Sequence, residues 1–394
     1  MLKKQYEIEN KRMASRLVLI IMGCLIGIFL IYDHFYYRQI FKYSITFSIQ
    51  LQKLNLYGIS YFISHVFFYI IFSYIPLTFF LQNTTPKSLL NIMQFFFNIY
   101  SYTILKMIIR GSRPSFESLD LNSAKGFCEN DYGNPSGHGM VSINILLIIA
   151  RDTTQNLKGW RKFITYFICL SLSLVVCLSR LYFGVHSIDQ TMLGLSFGFC
   201  VFLIFEVYEQ VITENLVFPI LYKDNFGYKK TRNLIIGITI LFNVLIYIFW
   251  SICYYLETNR DDYFYFVKNC KMVFHKDPNF SYKLLSSGLA INNPIGIFLG
   301  MLNCKQNIKF ATNFYYDRNI YKFIIRIVFF TLLYLPSLLS YYPRIPGKTF
   351  NILRANIILF LGGYVVSRYI FSLFEWFGIP YQKKQLKLSK YDLQ

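Results

Sequence analysis

Ten apolar runs leave this chain few ways to fold. They cover about residues 17–32, 56–81, 89–105, 135–150, 163–178, 191–208, 233–255, 284–303, 323–342 and 355–378. Several reach the roughly 20 residues that carry a helix across a bilayer's hydrocarbon core. Backbone inside a bilayer must satisfy its own N–H and C=O groups. The expected fold is therefore all-α, a polytopic transmembrane helical bundle of about 9–10 spans. Composition agrees. Of 394 residues 55% are hydrophobic and only 15% charged, against about 25% charged in a soluble domain. The formal net charge of +20 would suggest nucleic acid in a soluble protein. Here no soluble basic domain is visible, and most cations lie between apolar runs, so no nucleic-acid partner is expected. Cations so placed set topology and meet anionic membrane lipid.

The runs suggest three regions. Residues 1–55 read as a basic cytosolic N-terminus, an anchor span and an interfacial segment (39–55). Residues 56–208 read as the core that carries the chemistry. Residues 209–394 read as a C-terminal transmembrane bundle with a basic cytosolic tail. Five basic residues precede the run 17–32, and no small-residue cleavage site follows in Ile31-Tyr32-Asp33-His34, so an uncleaved anchor is expected. Ten spans place both termini on one side. The bias of Lys and Arg between loops makes that side cytosolic. The sequon at Asn279 falls on the opposite face, and a second at Asn83 falls on the cytosolic one. Of eight cysteines, Cys24, Cys169, Cys177 and Cys200 sit in apolar runs as small hydrophobes. No zinc-type spacing exists. Cys128 and Cys270 share the non-cytosolic face, where a disulfide between them is open. The polar stretch 256–283 has no assigned role.

Three short clusters fall on that same non-cytosolic face, although the charge count did not use them. Lys106 and Arg113-Pro114 close the third run. Pro135-Ser136-Gly137-His138 opens the fourth. Ser179-Arg180 closes the fifth, and His186 precedes the sixth. Proline suits a first helical turn, and the free N–H groups of that turn attract an anion. Gly137 lets an oxyanion approach the backbone. His138 at the rim could protonate a leaving oxygen. Arg180 offers planar donors to two phosphate oxygens. A neutral His186 is a competent nucleophile toward phosphorus if a neighbour fixes its tautomer. Asp189 and Gln190 lie three and four residues on, and either is within reach on a helical turn. Taken singly, these are helix starts and membrane-end anchors. Together they read as one convergent pocket for a tetrahedral oxyanion such as phosphate. Elsewhere, His65 reads as a hydrogen-bonded core residue. His34 and His275 lack partners, Arg326 sits in a late run, and Arg368 shares a helix face with Glu375.

These residues resemble the type 2 phosphatidic acid phosphatase superfamily, over about residues 89–205. The resemblance implies a phosphoric monoester hydrolase without metal or other cofactor. His186 would be the nucleophile that forms a phosphohistidine. His138 would be the general acid that later activates water. Lys106, Arg113, Ser136, Gly137 and Arg180 would hold the phosphoryl oxygens. The family usually has Asp four residues after the nucleophile, where this chain has Gln190. Glucose-6-phosphatase also has Gln there, and Gly111 and Cys128-Glu129 agree with that branch. Gly184-Val185-His186-Ser187 is similar instead to sphingoid-base phosphate phosphatases. The implied substrate is a small-molecule or lipid phosphate monoester, with a sugar phosphate preferred. The site would be luminal, in the endoplasmic reticulum. A soluble sugar phosphate would need a polar pocket or a sugar-phosphate transporter as partner. A non-catalytic scaffold would have lost motif residues, and all remain. A transporter would show an inverted repeat, and none is found.

Overall fold

The computed structural model describes residues 36–71, 85–118, 131–155, 157–217, 225–257, 280–303 and 360–369, with single positions such as Leu121 and Glu129 besides. Among them every regular element is helical. Helix α1 spans Tyr36–Lys53 and α2 Tyr57–Ile71, bent from each other by 119°. Asn55, at φ 52°, sits in the corner. A turn of π-helix, Phe62–Phe67, lies inside α2. Then follow α3 (Thr85–Ile109), the short α4 (Pro114–Glu117), α5 (Gly137–Thr153) and α6 (Trp160–Tyr182). The last are α7 (Ile188–Ile212, continued by a π-turn to Val217), α8 (Asn225–Glu257), α9 (Phe280–Gly288) and α10 (Asn292–Leu302).

Five stretches are long and apolar enough to cross a membrane: Lys87–Glu117, Trp160–Tyr182, Ile188–Val217, Lys229–Leu256 and Lys283–Leu302. The bent pair α1–α2 makes a sixth if counted as one span. The chain is a polytopic helical membrane protein, and its outer faces fit that medium. Phe163 and Phe167 on α6 are 70% and 60% exposed, an arrangement that lipid tails satisfy and water would not. The fourth run forms α5, whose 17 residues stay below a full span. The segment 39–55 is helical rather than irregular, with Phe41, Ser44 and Ser48 buried and Arg38 and Lys42 exposed. The anchor 17–32, the run 323–342 apart from single positions, Asn83, Asn279, Cys128, Cys270, His34, His275, Arg326, Glu375 and the basic tail lie outside the described residues, as does most of 256–283.

The chain divides into two compact units. The first comprises Met1–Phe72, Ser101–Tyr208 and Ser251–Leu284, and the second Ser73–Tyr100, Glu209–Trp250 and Leu285–Gln394. Within the second, Tyr100 donates to the Phe242 carbonyl at 2.9 Å, and Asn243 and Asn292 exchange amide hydrogen bonds at 2.9 and 3.1 Å. Gly296 and Gly300 lie against the backbone at Phe360 and Tyr364, the close approach that small residues four apart allow. Arg368 lies over the rings of Tyr364 and Tyr369 and donates to the Tyr364 hydroxyl at 2.8 Å.

In the first unit, α5 and α7 touch backbone to backbone. A Cβ at Gly194 would stand 2.5 Å from the Ser136 carbonyl oxygen, and one at Gly198 would overlap that of Met140. Asn144 crosses the same seam to the Gly198 carbonyl at 3.2 Å. This contact sets the start of α5 beside the start of α7. Gly198→Leu must push the two backbones apart, and its expected cost is about 1–3 kcal/mol. Gly237→Leu, at a position with nothing within 4 Å, should change stability by less than roughly 0.5 kcal/mol. Thermal unfolding of both variants in detergent checks the contrast.

Candidate active site

All three sequence clusters lie in the first unit. Lys106 occupies the last turn of α3. Arg113 is the N-cap of α4, and the following Pro114 is its first residue. Ser136 is the N-cap of α5, fully buried, and its Oγ accepts from the Gly139 amide at 3.3 Å. That cap satisfies one of the turn's unpaired donors. Gly137 opens α5, and a Cβ there would meet the Tyr102 ring at 3.5 Å. His138 follows, half-buried. Arg180 stands in the last turn of α6. Gly184 then reverses the chain at φ +62°, a backbone angle that favours glycine. Its carbonyl accepts from the Ser115 amide at 3.0 Å. That turn delivers Val185 and His186 to the side where Arg113 lies.

The cations are inside. Lys106 is 2% exposed, Arg113 0% and Arg180 1%. Buried charge is costly unless paired, and two carboxylates supply the pairing. Asp131 reaches Lys106 at 2.9 Å and also contacts Arg113. Glu129 accepts from Arg113 Nη2 at 2.8 Å and contacts Arg180 Nη2. Lys283 approaches Asp131 to 3.8 Å. Arg113 is fixed further by donating to three main-chain carbonyls: those of Asp131 (2.8 Å), Val185 (2.7 Å) and Tyr132 (3.3 Å). Buried Nε of Arg180 has no hydrogen-bond partner among the described residues. It is a donor at hand for an incoming oxyanion. Burial would raise both carboxyls. Arg180 and Arg113 outweigh it at Glu129, and Lys106, Lys283 and Arg113 do so at Asp131, so both are held well below the usual carboxylate range.

His186, 1% exposed, sits against this cage. Its Nδ1 lies 3.3 Å from Gln190 Oε1, and its Nε2 3.3 Å from Arg113 Nη1. The amide of Gln190 can be oriented from its partners. Its Nε2 donates to the Ser112 carbonyl at 2.6 Å, and its Oε1 accepts from the Ser187 amide at 3.3 Å. An oxygen that only accepts must face a protonated Nδ1. The Nε2 lone pair is then left toward Arg113 and the cage. Gln190, in the first turn of α7, is thus the residue that reaches His186. Asp189, one place earlier and 3% exposed, opens the same helix. Gly133 makes room, since a Cβ there would stand 2.5 Å from Gln190 Oε1. Burial first, then the charges of Arg113, Arg180 and Lys106, lower the His186 imidazole well below its ordinary value, with Glu129 opposing. The neutral ring is the resting form. Burial first, then the charges of Arg180, Lys106 and Arg113, lower the His138 imidazole well below its ordinary value, with Glu129 opposing, and its ring lies 4.3 Å from that of Phe68 on α2.

Motif reasoning does not single out Glu129, Asp131 and Lys283 as site residues. For the two acids a usable signal exists. Three cations converging on one face require counter-charge, and the loop leading to Pro135 carries three acids, Asp120, Glu129 and Asp131. Lys283 closes the stretch 256–283 and carries no such signal.

Residues 85–213 match the model of the PAP2 superfamily. The relatives are narrower in kind. The glucose-6-phosphatase catalytic subunit 1 of Rattus norvegicus is 31% identical over 156 residues, which covers 34% of this chain and 42% of that protein. That of Mus musculus matches to the same extent. That of Bos taurus is 31% identical over 118 residues, 25% of this chain and 33% of the relative. The chain therefore covers less than half the length of these relatives. No solved structure matches it.

A carboxyl held below its unfolded value near 4 adds stability above that pH, and the contribution vanishes as acid protonates it. Asp131→Asn leaves Lys106 and Arg113 undercompensated and should cost about 3 kcal/mol at pH 7. The difference from the native chain should shrink as pH falls through about 4 and below. Melting temperatures of both proteins in detergent between pH 7 and pH 3 check this.

Proposed function

We propose that the chain is an integral-membrane phosphatase that hydrolyses a phosphate monoester through a phosphohistidine at His186. The observation that carries the reading is the tautomer. Gln190 Oε1 faces Nδ1 at 3.3 Å, and the opposite nitrogen faces the cation cage. In the reaction, Nε2 of His186 forms a bond to phosphorus as the ester P–O bond breaks. His138, protonated once the bound phosphate's negative charge offsets the cations, gives its proton to the departing oxygen, which leaves as an alcohol. Neutral His138 then takes a proton from water as that water's oxygen attacks phosphorus. The N–P bond breaks, and inorganic phosphate and the starting imidazole are restored. Lys106, Arg113 and Arg180, with the Ser136 hydroxyl and the Gly137 N–H, hold the phosphoryl oxygens and stabilise their charge in the transition state. These fixed cations take the part that a metal clamp plays elsewhere.

The substrate we favour is a sugar phosphate of the glucose 6-phosphate kind, because the matched relatives carry that name. The site then faces the lumen of the endoplasmic reticulum, and a sugar-phosphate transporter is the partner that delivers substrate. A lipid phosphate is the second reading. Phe62, Val66 and Ile70 put an exposed apolar surface on α2, a helix that also reaches His138, and a lipid could enter along it.

Phosphate release by membranes carrying the chain tests this, with glucose 6-phosphate, phosphatidate and a sphingoid-base phosphate compared. His186→Ala should abolish release and also labelling of the chain by ³²P substrate. Release that persists in the variant would overturn the nucleophile, and release from lipids alone would select the second reading. Gln190→Ala should lower kcat on the order of 100-fold, short of the ~10⁴ lost when a triad imidazole is held in the wrong tautomer. Asp189→Ala should act less.

The pH dependence follows from the lowered imidazole. The neutral ring reacts, and a depressed pKa keeps it neutral to lower pH. The acid limb of kcat/KM, corrected for the substrate's own ionisation, should therefore fall below the ordinary imidazole value of 6.5. A limb at or above that value would contradict the cage geometry.

A further inference from the structure

One side of the candidate site is covered from outside the matched stretch 85–213. Helix α2 and the end of α1 are fastened to the C-terminal end of α6 at three places. Gln52 donates to the Tyr182 carbonyl at 2.9 Å. Tyr57 sets its ring edge-on to Phe183, with centroids 5.9 Å apart. Buried Ser64 shares a hydrogen bond of 2.8 Å with Ser179, the residue before Arg180. The last of these falls in the π-turn Phe62–Phe67, an irregularity often found at functional sites. Phe68 follows Ser64 by four residues, so both lie on one face of the helix. Its ring is 4.3 Å from the His138 ring, tilted by 36°. His65, stacked on Tyr61 at 4.7 Å, lies within reach of the charges of Arg180 and Glu129.

We propose that Phe68 is a positioning residue for the general acid, and that α2 forms the leaving-group side of the site. The claim rests on the assignment of His138 as that acid. An imidazole at a helix start turns about its side-chain bonds unless something stops it. Phe68 packs against the ring and can hold it in the orientation that serves the departing oxygen. It also takes water from one face, so that the proton goes to the ester oxygen. Fastening through Ser64 and Ser179 ties this wall to the helix that carries Arg180, so acid and phosphate grip keep one spacing. On this reading the stretch 85–213 grips phosphate, and the chain before it shapes what leaves.

Leaving-group chemistry separates this role from a merely structural one. An alkyl phosphate needs its departing oxygen protonated, whereas p-nitrophenyl phosphate expels a stable phenolate without help. The constant kcat/KM covers only the steps up to departure of the leaving group. Phe68→Ala should lower kcat/KM for glucose 6-phosphate by about tenfold, a part of the 10²–10⁴ that general acid catalysis supplies. For p-nitrophenyl phosphate the same variant should lose less than about twofold. Phe68→Tyr, which keeps the ring, should restore the alkyl substrate. Phe68→Leu, a gentler change that preserves folding, should shift the two substrates in the same sense as Phe68→Ala. Equal losses on both substrates, or none, would overturn the proposal. His138→Ala in parallel shows which claim has failed. If it discriminates between the substrates and the Phe68 variants do not, only the role of Phe68 falls. If His138→Ala itself does not discriminate, the assignment of the acid falls and this proposal with it.

Discussion

Everything in the first unit answers to one electrostatic demand, the burial of Lys106, Arg113 and Arg180 together. Three like charges removed from water would tear a site apart. Glu129 and Asp131 hold them, each carboxylate touching two cations. Three buried cations against two carboxylates leave the cage with an excess of positive charge, and Lys283 adds to it from a partly exposed position. On the proposed function, a phosphate dianion would meet that excess. The main-chain carbonyls around Arg113 fix the guanidinium before any substrate arrives, and a preorganised donor need not be reorganised during reaction.

His186, the proposed nucleophile, depends on the same cage through a neutral partner. A carboxylate at position 190 would stabilise the imidazolium and hold the ring protonated beside three cations. The amide of Gln190 orients the tautomer and adds no charge. Its other end is tied to the Ser112 carbonyl beside Arg113. His186 and the segment that carries Arg113 are therefore linked through one short side chain. Gly133 is the condition for that link, because any Cβ there would occupy the place of the Gln190 oxygen.

Around this centre the helices do two kinds of work. Glycines at 194 and 198 bring α7 onto α5 so closely that the N-cap at Ser136 and the start of α7 share a hydrogen bond, Ser136 N–H to the Gln190 carbonyl at 2.9 Å. Ser44 on α1 accepts from the Ile188 amide at 3.0 Å and so caps the helix that carries Gln190. The part of the chain before residue 85 is thus fastened into the site at Ser44, Ser64 and Phe68. A match confined to 85–213 does not include these contacts.

Much of this is legible in the amino-acid sequence by itself. Apolar runs of membrane length announce helices, because a bilayer offers backbone no other partner. The order Lys106, Arg113, Ser136-Gly137-His138, Arg180, His186 announces an oxyanion site, because each type has one chemical use in that company. What local pattern cannot decide is every contact between segments distant in the chain. Asp189 and Gln190 are equally placed by helical spacing, and only the packing of α7 against the loops at Ser112 and Gly133 selects Gln190. Glu129 and Asp131 look like loop acids until the cations they neutralise are seen to be buried. His65 reads as a hydrogen-bonded core residue and Phe68 carries no signal of its own, since nothing in that run reports which helix lies against it. Periodicity and residue chemistry act over a few residues and survive in one dimension. Charge compensation and ring packing act through space, so only the folded chain shows them.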